Sequence, residues 1–209
     1  MYDVIPGILE KSWEEVEAKI KLLSPFAKTL HIDVIDGKFV NNLTFLDPAP
    51  FDKYKDQFLL EVHLMVEEPI NYLKPFAQAG FKRFLGHVEK MSSQEEFVAE
   101  GQLLGEVGLA LDGPTDLSAI KVSYDDLDTV LFYVSDRVGF SGPPMLPEHL
   151  EKVKAFREKS NIPIEVDGGI KDTTILLAKN AGATRFVATS FISNTPDPKG
   201  AYDKLVSLV

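Results

Sequence analysis

Short apolar runs alternate with segments of helical periodicity along the whole chain, and no linker-like or low-complexity gap interrupts them. Strands are expected over Val4–Leu9, Leu30–Val34, Leu59–Val66, Phe84–Val88, Val107–Leu111, Val130–Val134, Ile162–Val166 and Arg185–Ala188. Between them, Ser12-Trp-Glu-Glu15 reads as a capping box opening a helix to about Leu23. Pro69 opens a helix that stops at Gly80, and Ser92 or Ser93 caps one running through Leu104. Further helices are expected around Asp116–Ile120, over Pro147–Lys159 and Thr173–Ala181, and from strand eight to the C-terminus. A long loop through Pro48 and Pro50 follows the second strand. Eight strand–helix units in 209 residues indicate a single α/β domain over 1–209, a (β/α)8 TIM barrel. A doubly wound open sheet is the alternative, but eight regular units fit closure better.

Composition narrows the function. The formal net charge of −10 argues against non-specific nucleic-acid binding, and an anionic ligand would need a locally favourable site. No apolar run is long enough for a transmembrane helix, and the N-terminus from Met1 does not resemble a signal peptide. Zero cysteines exclude disulfides and thiolate metal sites. A cytoplasmic protein without membrane or nucleic-acid partners is the expectation.

Three stretches interrupt their apolar runs with chemistry-bearing groups: His31 and Asp33 in Leu30–Val34, His63 in Glu61–Val66, and Asp167 in Ile164–Ile170. Residues two apart in a strand share a face, so His31 and Asp33 point together, opposite Ile32 and Val34. Barrel active sites form at the C-terminal ends of strands. Two histidines and two carboxylates form a usual donor set for a borderline or hard divalent ion. A single strand histidine is ordinarily a packed structural residue; here His31, His63 and His87, three of the chain's four, all fall on strands. His87 suits either the pocket wall or support of a ligand, a packed core role being equally open. His149 is assigned no function. Glycines mark the late loops: Gly139 and Gly142 after strand six, Gly168 and Gly169 after strand seven, and Thr189-Ser190 end strand eight. Such turns let backbone amides approach a phosphate.

The run His31-Ile-Asp33-Val-Ile-Asp36-Gly-Lys-Phe39-Val-Asn-Asn42-Leu-Thr-Phe45 resembles the most diagnostic motif of the ribulose-phosphate 3-epimerase family. His63-Leu-Met65-Val, Phe76-Ala-Gln-Ala-Gly80, His87-Val-Glu89 and Glu165-Val-Asp167-Gly-Gly-Ile170 match further family segments in order, covering essentially the whole chain. The resemblance implies a barrel with one divalent metal (Zn, Fe, Mn or Co) on His31, Asp33, His63 and Asp167. It implies inversion at C3 of a ketose phosphate, D-ribulose 5-phosphate to D-xylulose 5-phosphate, with Asp33 and Asp167 as the acid–base pair. Met65 corresponds to a methionine lining the substrate, and Gly142, Gly168, Gly169, Thr189 and Ser190 to the substrate- and phosphate-binding turns. A homo-oligomer is implied as well.

The chain departs from the family at several positions. Gly7 stands where a serine hydroxyl is usual, Ile35 and Val134 replace methionines, and Thr189 replaces a glycine. Asp112 stands where Asn or Lys is common, and Arg137 is a further candidate for an anion, with pairing to Asp136 its ordinary use. These changes leave open a 3-epimerase for a hexulose 6-phosphate such as allulose 6-phosphate, or a divergent non-catalytic sugar-phosphate-binding barrel. A related class of barrels acts through Asp-x-Lys-x-x-Asp. Here no lysine lies two residues after Asp33, and Lys38 sits in the loop.

Overall fold

The computed structural model describes residues 2–209; Met1 lies outside them. Eight parallel strands close in sequence order, the eighth pairing with the first. They are β1 (Asp3–Ile8), β2 (Thr29–Ile35), β3 (Leu59–Met65), β4 (Arg83–His87), β5 (Glu106–Leu111), β6 (Thr129–Tyr133), β7 (Ile164–Asp167) and β8 (Arg185–Ala188). The helices are α1 (Trp13–Leu23), α2 (Ile70–Gln78), α3 (Gln94–Gln102), α4 (Leu150–Arg157), α5 (Ile175–Asn180), α6 (Ser190–Ser193) and α7 (Pro198–Leu208). This is a (β/α)8 TIM barrel. No helix among the described residues is long and apolar enough to cross a membrane.

Strand periodicity divides the interior in two. On β2, Leu30, Ile32 and Val34 join the large apolar core between barrel and helices, where Ile20, Leu23, Phe84, Phe132 and Phe156 are also buried. The alternate residues face the lumen, where an apolar patch of Leu85, Ala110, Leu131 and Tyr133 meets a polar remainder.

Local signals set most boundaries. Ser12 and Glu15 form the capping box of α1, and Ser93 rather than Ser92 caps α3. β7 begins at Ile164 instead of Ile162 because Pro163 has no amide for the ladder; its carbonyl accepts from Val130 N–H at 3.2 Å. The helix expected at Asp116–Ile120 is a single 3₁₀ turn over Leu117–Ala119 capped by Asp116, so the β5–β6 crossover carries no α-helix. The Pro147–Lys159 helix opens as a 3₁₀ turn over Pro147–His149 before α4 begins. The final segment divides into α6 and α7.

The long loop after β2 is anchored. A 3₁₀ helix over Ala49–Tyr54 buries Phe51, whose ring lies 5.1 Å from Trp13 and 5.2 Å from Phe81, with Phe76 4.9 Å beyond. Phe81→Ala should therefore cost about 3–5 kcal/mol of stability through the cavity it leaves. The check is a lowered denaturant midpoint with an unchanged m-value.

Candidate active site

β2, β3 and β7 carry the central groups. In the β2–β3 register Asp33 pairs with His63 and His31 with Glu61, while Asp167 ends β7. β2 and β7 are separated around the barrel by β1 and β8, so Asp33 and Asp167 approach from different walls. His31, Asp33, His63 and Asp167 are all buried, and one ligating atom from each lies within 4.8 Å of the others. His63 Nδ1 lies 3.0 Å from Asp33 Oδ1 and 3.6 Å from Asp167 Oδ2. His31 Nε2 is 3.2 Å from His63 Nδ1, 3.3 Å from Asp33 Oδ1 and 3.9 Å from Asp167 Oδ2. A tetrahedral centre with bonds of about 2.1 Å sets its donors roughly 3.4 Å apart. The cluster fits a divalent ion.

The outward nitrogens of both imidazoles are occupied. His31 Nδ1–H donates to Glu61 Oε1 at 2.5 Å, leaving Nε2 for the cluster. His63 Nε2 lies 2.9 Å from His87 Nε2, and His87 Nδ1 lies 2.9 Å from Glu89 Oε2. His87 is thus buried behind His63.

The field at the cluster favours a cation. Burial alone would raise the Asp33 carboxyl, but His31 and His63 outweigh it and hold its pKa at about 2. Burial likewise opposes ionisation of Glu61, which His31 and Arg83 keep at about 2. His31 is pushed well above its ordinary value; burial would lower it, and Asp33, Glu165 and Glu61 reverse that. Burial together with Glu61 pushes Glu165 up to about 7.

A cavity opens above the cluster. Asp33 and Asp167 form part of its floor, and Met65, Gly142, Gly168, Gly169, Thr189 and Ser190 all line it. Gly168 (φ 104°) and Gly169 (φ 71°) adopt left-handed conformations. A Cβ at Gly169 would overlap the Met145 backbone amide. A Cβ at Gly142 would meet nothing, so there it is the backbone that faces open space.

The motif that follows Asp33 does structural work. Thr44 Oγ1 donates to Asp33 O at 2.8 Å and accepts from Ile35 N–H at 2.9 Å. Asn42 Nδ2 donates to Gly139 O at 2.8 Å, joining the β2 loop to the β6 loop.

Three sequence expectations need refinement. Val134 packs in the outer core, and its neighbour Tyr133 lines the cavity. The Tyr133 hydroxyl donates to Arg137 O (2.8 Å) and lies 3.2 Å from Phe140 O, pinning the β6 loop. Arg137 is exposed, with its guanidinium stacked 4.4 Å from the Phe140 ring. Asp112 N–H donates to Glu89 Oε1 at 2.7 Å, and its own Oδ1 accepts from Gly113 N–H at 2.7 Å. Sequence reasoning gave no role to Glu61, Arg83 or Glu165. Glu61 and Glu165 each stand two residues before a cluster residue on the same strand, a period-two signal that was available.

A family model described as the ribulose-phosphate 3-epimerase family matches residues 3–193. The chain is 33% identical over 218 residues to ribulose-phosphate 3-epimerase of Bacillus subtilis, covering 98% of each chain. It is 32% identical over 202 residues to the cytoplasmic isoform of that enzyme from Oryza sativa subsp. japonica, covering 93% of this chain and 89% of the relative. The chain belongs to the ribulose-phosphate 3-epimerase family. That places it among isomerases.

More distant solved structures share the family's fold alone. The 3-hexulose-6-phosphate synthase of Salmonella typhimurium superposes with a TM-score of 0.73 at 13% identity, over 100% of this chain and 98% of that one. The 3-keto-L-gulonate-6-phosphate decarboxylase of Vibrio cholerae O1 does so with a TM-score of 0.73 at 12% identity, over 100% and 98%.

Within this family member Gly7 and Thr189 are coupled: a Cβ on Gly7 would overlap Thr189 Oγ1. Gly7→Ala should cost about 1–3 kcal/mol by overpacking. Adding Thr189→Ala should recover most of the loss, giving a non-additive double-mutant cycle by denaturant unfolding.

Proposed function

We propose that this chain is a metal-dependent ketose-phosphate 3-epimerase, one (β/α)8 domain over 1–209, interconverting D-ribulose 5-phosphate and D-xylulose 5-phosphate. The observation that carries the proposal is the placement of Asp33 and Asp167, on different walls, between a buried imidazole–carboxylate cluster and a glycine-lined cavity. His31 Nε2, His63 Nδ1, Asp33 and Asp167 would hold one divalent ion of zinc, iron, manganese or cobalt. When bound, it supplies Lewis-acid stabilisation of negative charge developing on the oxygens beside C3.

The chain's own residues do the rest. Inversion at C3 requires a proton to leave on one face and return on the other. Asp33 and Asp167 take those roles, one accepting the C3 proton and the other donating to the planar enediolate. Met65 contributes an apolar wall. No lysine or arginine side chain stands among the described residues lining this cavity, so backbone amides at Gly142, Gly168, Gly169, Thr189 and Ser190 would bind the phosphate, with the Thr189 and Ser190 hydroxyls at hand. The cytoplasmic location and the homo-oligomer implied by the resemblance complete the proposal, the latter to be checked by sedimentation.

A hexulose 6-phosphate substrate has one observation in its favour. A second cavity, lined in part by Gly7, shares Leu9, Ser141, Thr189 and Ser190 with the first. Proton NMR in deuterated water with added divalent ion decides. Loss of the C3 proton signal of ribulose 5-phosphate with appearance of xylulose 5-phosphate supports the proposal. Exchange only with allulose 6-phosphate moves it to the longer substrate. No exchange with either leaves a non-catalytic sugar-phosphate-binding barrel.

Asp167→Asn should lower turnover by about 10²–10⁴-fold; near-normal rates would remove Asp167 from the acid–base pair. Metal removal by a chelator should abolish exchange. A divalent ion restored at about 100 times its Kd should stabilise the protein by about 2.7 kcal/mol, visible as a raised thermal midpoint.

A further inference from the structure

Beneath the cluster, the lumen holds charged groups that the proposed chemistry leaves unused. Glu61 faces inward on β3, in register with His31 on one side and Arg83 on the other. Its two oxygens are committed separately: Oε1 accepts from His31 Nδ1–H at 2.5 Å, and Oε2 accepts from Arg83 Nη1. Arg83, its side chain 4% exposed, is held in turn. Its Nε–H donates to Glu106 Oε2 at 2.7 Å, and Arg185 Nη2 donates to the same oxygen at 3.2 Å. The chain His31–Glu61–Arg83–Glu106–Arg185 crosses the lower barrel without leaving Glu61 a free choice of orientation.

A second carboxylate competes for the same imidazole proton. Glu165 is fully buried, its Oε1 is 3.2 Å from His31 Nδ1, and neither of its oxygens has a hydrogen-bond partner in the protein. One N–H cannot serve both carboxylates fully. The shorter contact belongs to Glu61, which Arg83 also aims.

We infer that Glu61, locked by Arg83, is the positioning residue that fixes the tautomer and ring orientation of His31 for the metal site, and that Glu165 is not. The inference rests on the metal site proposed above. An ionised carboxylate only accepts hydrogen bonds, so its contact obliges His31 to carry the proton on Nδ1 and present the Nε2 lone pair to the cluster. A charge-assisted bond to the far nitrogen of a ligating imidazole also raises its basicity, and loss of such a partner typically lowers metal affinity about 10–100-fold. His63, tied to the imidazole of His87, lacks a directly bonded carboxylate on its far nitrogen.

The test is Co²⁺ titration of the whole protein, followed by visible absorption and by competition with a chelator. It compares the unaltered chain with Glu61→Gln, Glu165→Gln and the double variant Glu61→Gln/Arg83→Met. The double variant removes both charges of a buried pair, an exchange that is often neutral for stability, so it keeps the test valid if the single variant unfolds. Expected is a loss of about 10–100-fold in Co²⁺ affinity for both Glu61 variants, with an altered visible band and retained circular dichroism. Glu165→Gln should stay within about threefold, well below the loss typical for a supporting partner. Affinity of the folded double variant within that same margin of the unaltered chain would overturn the inference, as would an equal loss in Glu165→Gln. An unaltered chain that takes up no Co²⁺ would overturn the metal reading itself and this inference with it.

Discussion

Ionisable groups enclosed in a barrel lumen must meet partners there or fail to ionise, and that requirement organises this molecule. Strand periodicity aims His31 and Asp33, Glu61 and His63, and Glu165 and Asp167 inward as pairs two residues apart, with Arg83 and His87 four apart on β4. At the lower end, guanidinium and carboxylate groups satisfy one another through Arg83, Glu61, Glu106 and Arg185. At the upper end carboxylates outnumber fixed cations, and the surplus negative charge raises both His31 and His63 against the effect of burial. A lumen built this way has a field that favours positive charge where it opens, and it holds His31 in place from below.

The cavity above follows a different logic. The chain carries a net charge of −10, and the described residues lining the cavity include no lysine or arginine. Affinity for an anion would have to come from oriented backbone amides, which is why left-handed glycines matter at positions 168 and 169. Asn42 joins the β2 loop to Gly139 of the β6 loop, and within each loop Thr44 holds the backbone of Asp33 and Tyr133 the carbonyl of Arg137. Fixed cluster side chains below and tethered loops above leave the site little to reorganise.

Much of this was legible in the chain itself. The eight alternating units predict the barrel, and the run Arg185–Ala188, bounded by a glycine-containing turn before and Thr189-Ser190 after, matches β8 to the residue. The β5–β6 crossover departs from the helix its sequence predicts because polar, capping-rich sequence such as Asp116–Ala119 supports a helical turn without the apolar stripe needed to extend it. The four cluster residues and the six cavity residues, found from strand ends, glycine turns and family motif, come together around one opening. A lining residue expected at Val134 falls instead at Tyr133, a one-residue shift that moves a side chain to the opposite face of a strand.

The sequence by itself determined the fold, the cluster residues and the family, because periodicity, turn chemistry and motif spacing are properties of neighbours along the chain. Which atoms meet was decided only in three dimensions. That His31 gives its Nδ1 proton to Glu61 while Glu165 stands unpartnered depends on the register of β2 with β3 and of β3 with β4. That Gly7 accommodates Thr189 depends on β1 closing against β8, residues far apart in sequence. Closure of the barrel sets those distances, and no local pattern encodes them.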